Sequence, residues 1–225
     1  MRNNIVLLSF AILALLSAGC AGGKVSEAED NKTLAVQWYK TGNEDAAAKD
    51  FVKAVKAYTI AIKLDPNYTD AYINRGNAFI QTGPRRMAIG DFTKAIELQS
   101  NSSDTYLNRG YVYLKVQEFD KALQDFSKAI ELDNKSAGAY LNRAKAFFNL
   151  KEMDKALKDV NKALELDAEL ANAYNFRGLV LMSGNERNNE KQAMTDFKKG
   201  CEKGDADACS NLKQTEKSME IVPVK

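Results

Sequence analysis

Apolar residues recur along most of the chain at intervals of three and four residues, the spacing that gathers them on one face of an α-helix. The stretch around Phe126 is typical, with apolar side chains at 122, 123, 126, 129 and 130. Much of the chain repeats this pattern when it is shifted by 34 residues, and each copy holds two such stretches joined by a short turn. The pattern therefore predicts an all-α protein built from repeated helix-turn-helix units.

Each predicted unit carries aromatic and small residues at fixed places. An aromatic residue stands in the first helix, at Trp38, Tyr72, Tyr106, Tyr140 and Tyr174. A small residue follows four positions later, at Gly42, Gly76, Gly110, Ala144 and Gly178. A large apolar residue stands in the second helix, at Tyr58, Phe92, Phe126, Val160 and Phe197. Small residues let two crossing helices approach closely, and larger side chains fill the space beside them.

This arrangement resembles the tetratricopeptide repeat (TPR), a helix-turn-helix unit with the same aromatic and small positions. The resemblance implies an α-solenoid of about five units, near 35–68, 69–102, 103–136, 137–170 and 171–204. The solenoid as a whole is predicted over 34–204, and 205–225 is predicted to form a capping helix and a tail. The last unit carries extra residues between its two helices, near 185–189.

The N-terminus has the pattern of an export signal. Arg2 precedes an uncharged apolar run from Ile5 to Leu16. A helix of that length rises about 18 Å, which is too short for the roughly 30 Å core of a bilayer. A cleavable signal peptide over 1–19 is therefore favoured over a transmembrane helix.

The segment Leu16-Ser17-Ala18-Gly19-Cys20 resembles the lipobox of bacterial lipoproteins. The resemblance implies that Cys20 is the lipidated N-terminus and that 20–33 holds this anchor and a tether. It also implies attachment to the outer membrane facing the periplasm, because Ala21 and not Asp follows the cysteine. A plain secretory signal with an unrelated cysteine stays open as the alternative.

The two remaining cysteines lie near the end of the solenoid. The sequence around Cys201 and Cys209, with Gly204 between them, resembles the Sel1-like variant of these repeats. That resemblance implies a disulfide between Cys201 and Cys209 across the turn between consecutive helices. Two reduced, buried thiols are the alternative.

The resemblance also implies which residues meet a partner, because the first helix of each TPR unit lines the inner, concave wall. In TPR proteins with an asparagine at this place, successive amides form a ladder that grips the backbone of an extended peptide, since an amide both donates and accepts hydrogen bonds. The ladder positions here are Asn74, Asn108 and Asn142. Neighbouring candidates for specificity are Asn77, Tyr111, Lys145 and, as an apolar anchor, Phe176. The alternative is that the asparagines only solvate the inner face.

A second series joins arginines to aspartates. In every unit except the first, an arginine directly precedes the small residue of the first helix, at Arg75, Arg109, Arg143 and Arg177. An aspartate follows in each second helix, at Asp91, Asp125, Asp159 and Asp196. The first unit lacks both partners, with Thr41 and Ala57 in their places. Joint presence and joint absence predict an ion pair within each repeat, contributing about 0–1 kcal/mol if partly exposed. Ligand binding is the alternative role.

Composition narrows the function. The 32 basic and 30 acidic residues nearly cancel, so no nucleic-acid partner is predicted, and the absence of histidine removes the commonest general base and metal ligand. No catalytic residue, metal, cofactor or small-molecule substrate is predicted. We expect a scaffold or adaptor, lipid-anchored in the bacterial envelope, that binds other envelope proteins or peptides. The alternative is a secreted Sel1-like protein that binds host or surface ligands.

Overall fold

The computed structural model describes residues 27–98, 101–184 and 187–220, and every regular element in these ranges is an α-helix. The all-α prediction is thereby confirmed. The helices are α1 Glu27–Ala47, α2 Phe51–Leu64, α3 Thr69–Thr82, α4 Arg85–Glu97, α5 Ser103–Lys115, α6 Phe119–Leu132, α7 Ala137–Asn149, α8 Met153–Leu166, α9 Ala171–Met182, α10 Arg187–Glu202 and α11 Ala206–Glu220. Cys20 and the predicted signal segment 1–19 lie outside the described residues.

Helix α1 begins at Glu27, inside the stretch 20–33 that the sequence assigns to the anchor and tether. The residues that extend it are mostly polar, but several of them, such as Lys32, are good helix formers. The helix continues without a break through this part. Thr33 Oγ1 also donates a hydrogen bond to the carbonyl of Glu29 at 3.0 Å. The predicted boundary at 34 marks the start of the buried pattern, and the helix itself starts earlier.

Consecutive helices pack in antiparallel pairs, one pair to a repeat, and each pair packs on the next. The small residue at the crossing explains the close approach within a pair. A Cβ added at Gly110 would lie 2.8 Å from Cε1 of Phe126, closer than real Cβ contacts allow. In the fourth repeat the opposing residue is Val160, which is smaller than phenylalanine, and Ala144 takes the place of the glycine. Residue sizes therefore compensate across the helix crossing.

The turns inside the repeats require a residue in the left-handed region. Lys49, Gln117 and Lys151 have φ of 61°, 63° and 63° between the two helices of the first, third and fourth repeats. In the second repeat Gly83, with φ of 105°, ends α3 instead. The turn geometry thus recurs although the residue type varies.

The Arg–Asp pairs form within repeats and bind by two parallel hydrogen bonds. In the second repeat Arg75 Nε donates to Asp91 Oδ2 at 2.8 Å and Nη2 donates to Oδ1 at 2.7 Å. The other bidentate pairs are Arg109–Asp125, Arg143–Asp159 and Arg177–Asp196.

These pairs are more deeply buried than the sequence estimate assumes. The four aspartates are at most 6% exposed, and Asp196 is fully buried. Removing one partner should therefore lower the free energy of unfolding by more than about 0–1 kcal/mol, because the other charge would remain buried and unpaired. The third nitrogen of each arginine also reaches the preceding repeat, as Arg75 Nη1 does by donating to Thr59 Oγ1 at 3.1 Å. The arginines thus bind successive repeats together.

Helix α11 caps the C-terminal end of the array. A disulfide joins Cys201 of α10 to Cys209 of α11, with Cα atoms 4.6 Å apart. Gly204 turns the chain with φ of 93°, and Asp205 Oδ1 accepts the N–H of Ala208 at 2.7 Å at the start of α11. In the described part of the chain, no helix is long and apolar enough to cross a membrane.

Candidate functional site

The first helices of the repeats form the inner surface of a curved array. In the described part of the chain, α1 contacts α3, α3 contacts α5, and α5 contacts α7, whereas the second helices of successive repeats are spread apart. A stack that is closer on one side than on the other curves toward the closer side. The first helices α1, α3, α5 and α7 therefore line the concave wall, where the ladder asparagines lie, and α9 is the next first helix in the series.

At the N-terminal end of this wall the ladder is already hydrogen-bonded within the protein. Asn74 Nδ2 donates to Tyr39 Oη at 2.9 Å and to Asn43 Oδ1 at 2.9 Å, so both amide hydrogens are used. Tyr58 Oη also donates to Asn43 Oδ1 at 2.8 Å. The network leaves only the carbonyl oxygen of Asn74 for a bound peptide.

This network borders an open hollow of about 270 Å³ between the first two repeats. Phe51 and Gln81 line it beside the hydrogen-bonded side chains. Burial, followed by the nearby Tyr39, raises the pKa of Tyr58 to about 12, so the phenol is neutral at physiological pH. The lining of the hollow is thus mixed, with apolar and aromatic side chains beside the amides.

Farther along the wall the amides become free. Asn108 Nδ2 donates to Asn77 Oδ1 at 3.0 Å, which uses one of its two hydrogens. Among the described residues, none hydrogen-bonds the half-buried side chain of Asn142. The structure thus pairs Asn77, predicted as a specificity residue, with Asn108. The third and fourth repeats offer the amides that a ligand can use.

Phe176 is not an exposed anchor, and this sequence prediction is wrong. The side chain is 8% exposed and its ring meets that of Phe148 edge-on, with centroids 5.6 Å apart. An aromatic ring at the ladder position gains more by packing into the core between the fourth and fifth repeats than by facing water. The exposed apolar residues of α9 are Leu179 and Met182, each 39% exposed, which the sequence reading missed.

Two lysines lie on the wall beside the free amides. Lys115 Nζ stands 5.3 Å from the ring centroid of Tyr111, a cation–π contact on α5. Lys145 is half-buried on α7. The pKa of Lys145 lies below its ordinary value, first because burial withholds water from the ammonium and then because Lys115 carries a like charge nearby, while Asp205 opposes the shift.

For the site residue that the sequence prediction missed, the sequence indicates the position but not the contacts. Asn43 stands 34 residues before Asn77, so the period marks it as a wall residue. Nothing in the sequence indicates that Asn43 accepts hydrogen bonds from both Tyr58 and Asn74. In the described residues no group of three or more His, Cys, Asp or Glu side chains is placed to hold a metal ion.

Comparison with known families agrees with this architecture. Residues 42–83 match the TPR repeat, and residues 103–136 and 137–170 each match the tetratricopeptide repeat. These stretches are tetratricopeptide repeats. The TPR register places their first helices on the concave wall described above and their second helices on the outside.

Solved TPR structures superpose on most of the chain. MamA shares 26% identity, with 75% of this chain and 96% of MamA covered at a TM-score of 0.66. YrrB, a TPR protein with an unusual peptide-binding site, shares 22% identity, with 86% of this chain and all of YrrB (100%) covered at a TM-score of 0.66. The MamA of Desulfovibrio magneticus RS-1 shares 20% identity, with 75% and 93% covered at a TM-score of 0.69. The chain therefore has the TPR solenoid fold.

Proposed function

We propose that this protein is a scaffold that binds an extended segment of another protein along its concave wall. The observation that carries the proposal is the pair of amides at Asn108 and Asn142, one partly and one wholly unoccupied, on adjacent first helices. An extended peptide presents an N–H and a C=O at every residue, which match the donors and acceptor of an amide. YrrB, a protein of the same fold, has a peptide-binding site, which supports peptide binding as the function of this solenoid.

The binding segment lies across the helices and spans more than one repeat. Each net hydrogen bond contributes about 1 kcal/mol, so two asparagines alone give weak affinity. Additional contacts come from the residues that flank the amides, Tyr111 on α5 and Leu179 with Met182 on α9. In this arrangement the asparagines orient the peptide backbone, and the flanking residues determine which partner binds.

The test is the double variant Asn108→Ala and Asn142→Ala in the full chain. Partner recovery after crosslinking in cells should fall, while the melting temperature should change by no more than about 1–2 °C, since both side chains are partly exposed. Asn134→Ala, at an exposed position in the loop between α6 and α7, is the matched control. Equal partner recovery by the double variant and by Asn134→Ala would show that the two amides do not contribute to binding.

We also propose that Cys20 is lipidated and holds the scaffold at the outer membrane, facing the periplasm. The lipobox-like sequence supports it, and several acyl chains on one residue anchor stably where a single chain does not. Labelled palmitate should enter the wild-type chain and be lost in Cys20→Ser.

The alternative is a secreted Sel1-like protein that binds host or surface ligands. The disulfide between Cys201 and Cys209 is compatible with it, because such a bond persists outside the cytosol, but it fits the periplasm equally well. Lack of palmitate in the wild type, with the protein found in the medium, would select this alternative.

A further inference from the structure

Lys115 and Lys145 lie on adjacent first helices, each about one helical turn beyond a wall residue that faces the ligand path. We propose that these two lysines form a site for an acidic side chain, so that the bound segment carries a glutamate or aspartate opposite the third and fourth repeats. This inference rests on the proposed peptide binding and names the chemistry of the partner. It does not require a free C-terminal carboxylate.

The placement of the two lysines follows from the helices that carry them. Lys145 follows Asn142 by three residues on α7, and Lys115 follows Tyr111 by four on α5, so each pair shares a helix face. The ring of Tyr111 positions Lys115 through the cation–π contact at 5.3 Å. The charges of the two ammonium groups act on each other, since Lys115 lowers the pKa of Lys145.

Five lysines of the outer surface are neutralised by a nearby glutamate, whereas Lys115 and Lys145 are not. On the second helices, lysines pair with glutamates three residues away: Lys94–Glu97, Lys121–Glu118, Lys128–Glu131, Lys155–Glu152 and Lys162–Glu165. Among the described residues, neither Lys115 nor Lys145 forms an ion pair. Lys115 and Lys145 therefore carry charges that no ion pair within the described residues neutralises.

Two carboxylates of the described chain are relevant to this site, Asp205 and Asp104. Asp205 attracts Lys145, but its Oδ1 accepts hydrogen bonds from the N–H of Ala208 at 2.7 Å and from Asn175 Nδ2 at 3.3 Å. Asp104 lies in the first turn of α5, about 16 Å along the helix from Lys115 at 1.5 Å per residue. Neither carboxylate forms an ion pair with Lys115 or Lys145 among the described residues.

Charge complementarity selects the occupant. Two like charges, one of them half-buried, oppose each other in the free protein, and a carboxylate between them removes the repulsion. Partial burial also lessens screening by salt compared with a fully exposed pair. Because the free amides hold the peptide backbone beside the lysines, the carboxylate that reaches them belongs to a side chain within the segment.

The test uses seven-residue peptide libraries with random flanks and a central Glu, Gln or Lys, acetylated and amidated at their ends, with acidic residues excluded from the flanks. Immobilised full-length protein should retain the Glu library about five- to tenfold over the Gln library at low salt, and less at high salt. Lys115→Gln with Lys145→Gln should abolish this preference, Lys145→Arg should keep it, and Lys56→Gln, at an exposed residue of α2, should leave it intact. Circular dichroism confirms that each variant is folded.

Three results would overturn the inference, and they differ in what else they remove. Equal retention of the Glu and Gln libraries removes the acidic site but leaves peptide binding in place. A preference that survives in the double variant assigns the charge recognition to other residues. Retention of no library by the folded protein removes the proposed function together with the inference.

Discussion

Arg109 holds both carboxylate oxygens of Asp125, with Nε donating to Oδ2 at 2.8 Å and Nη2 donating to Oδ1 at 2.7 Å. The third nitrogen, Nη1, donates to Thr93 Oγ1 of the preceding repeat at 3.1 Å. One guanidinium therefore links α4, α5 and α6. The same arrangement recurs in the second, fourth and fifth repeats, so a series of these three-helix links joins successive repeats.

Removing the carboxylate should cost much more than an exposed ion pair is worth. Asp125→Ala leaves the guanidinium of Arg109 partly buried without its anion, and we expect the free energy of unfolding to fall by about 3 kcal/mol. Urea unfolding followed by circular dichroism measures this loss. Asp120→Ala, at an exposed residue of the same helix, should cost no more than about 0.5 kcal/mol. Equal losses in the two variants would contradict the assigned role.

The close approach of paired helices predicts opposite effects for two glycine substitutions. Gly110→Ala forces its new methyl group against the ring of Phe126, and we expect a loss of about 1–3 kcal/mol. Gly90→Ala, inside α4, meets no atom within 4 Å and should gain about 0.5–1 kcal/mol, since alanine favours the helix. Thermal melts of the two variants test the pair, and a stabilising Gly110→Ala would contradict the packing.

The disulfide should stabilise the C-terminal cap. Closing a loop between cysteines eight residues apart contributes about 2.5 kcal/mol through the entropy of the unfolded chain. Non-reducing peptide mapping should recover Cys201 joined to Cys209, and the double variant Cys201→Ser with Cys209→Ser should lose protection of α11 amides from hydrogen exchange. Free thiols at both positions, in protein isolated from its own cells without reductant, would refute the bond.

Lys145 should destabilise the fold while it carries its charge. Its pKa is lower in the folded protein than in the unfolded chain. The destabilisation is therefore complete at pH values below the folded pKa, and it disappears as the pH rises past the unfolded pKa. We expect Lys145→Gln to raise the melting temperature by about 1–3 °C at neutral pH. Relative to wild type, the gain should vanish above about pH 10.4. A gain that persists there would mean better packing and not relief of charge.

The 34-residue period of the sequence was sufficient to predict the architecture and the ion pairs. Aromatic and small residues recur in register, so they identify the helix pairs, and the first repeat lacks both the arginine and the aspartate. That joint absence is what distinguishes pairing within a repeat from pairing between repeats. The reach of Arg109 to Thr93 was not predictable, because hydroxyl residues are common on helix surfaces and mark no partner.

The candidate site was predictable only as a set of positions. The register places Asn74 and Asn142 on one wall, but their hydrogen bonding differs because Tyr39 and Asn43 of the first repeat occupy the amide of Asn74. Phe176 shows the same limit, since a ladder position predicts exposure only while its residue is polar. Hydrogen-bond saturation and side-chain burial depend on contacts between repeats that a repeat pattern does not encode.

Site-specific photocrosslinking tests the central claim most directly. A photoreactive residue is placed in the full chain at Tyr111 or Asn149 on the inner wall, or at Lys128 on the outside, and crosslinked partner residues are mapped by mass spectrometry. Adjacent first helices lie about 8–10 Å apart, which an extended chain covers in about three residues, so the two inner positions should mark sites about three to six residues apart in one partner segment. Crosslinks to that partner from Lys128, or none from the inner positions, would contradict binding along the concave wall.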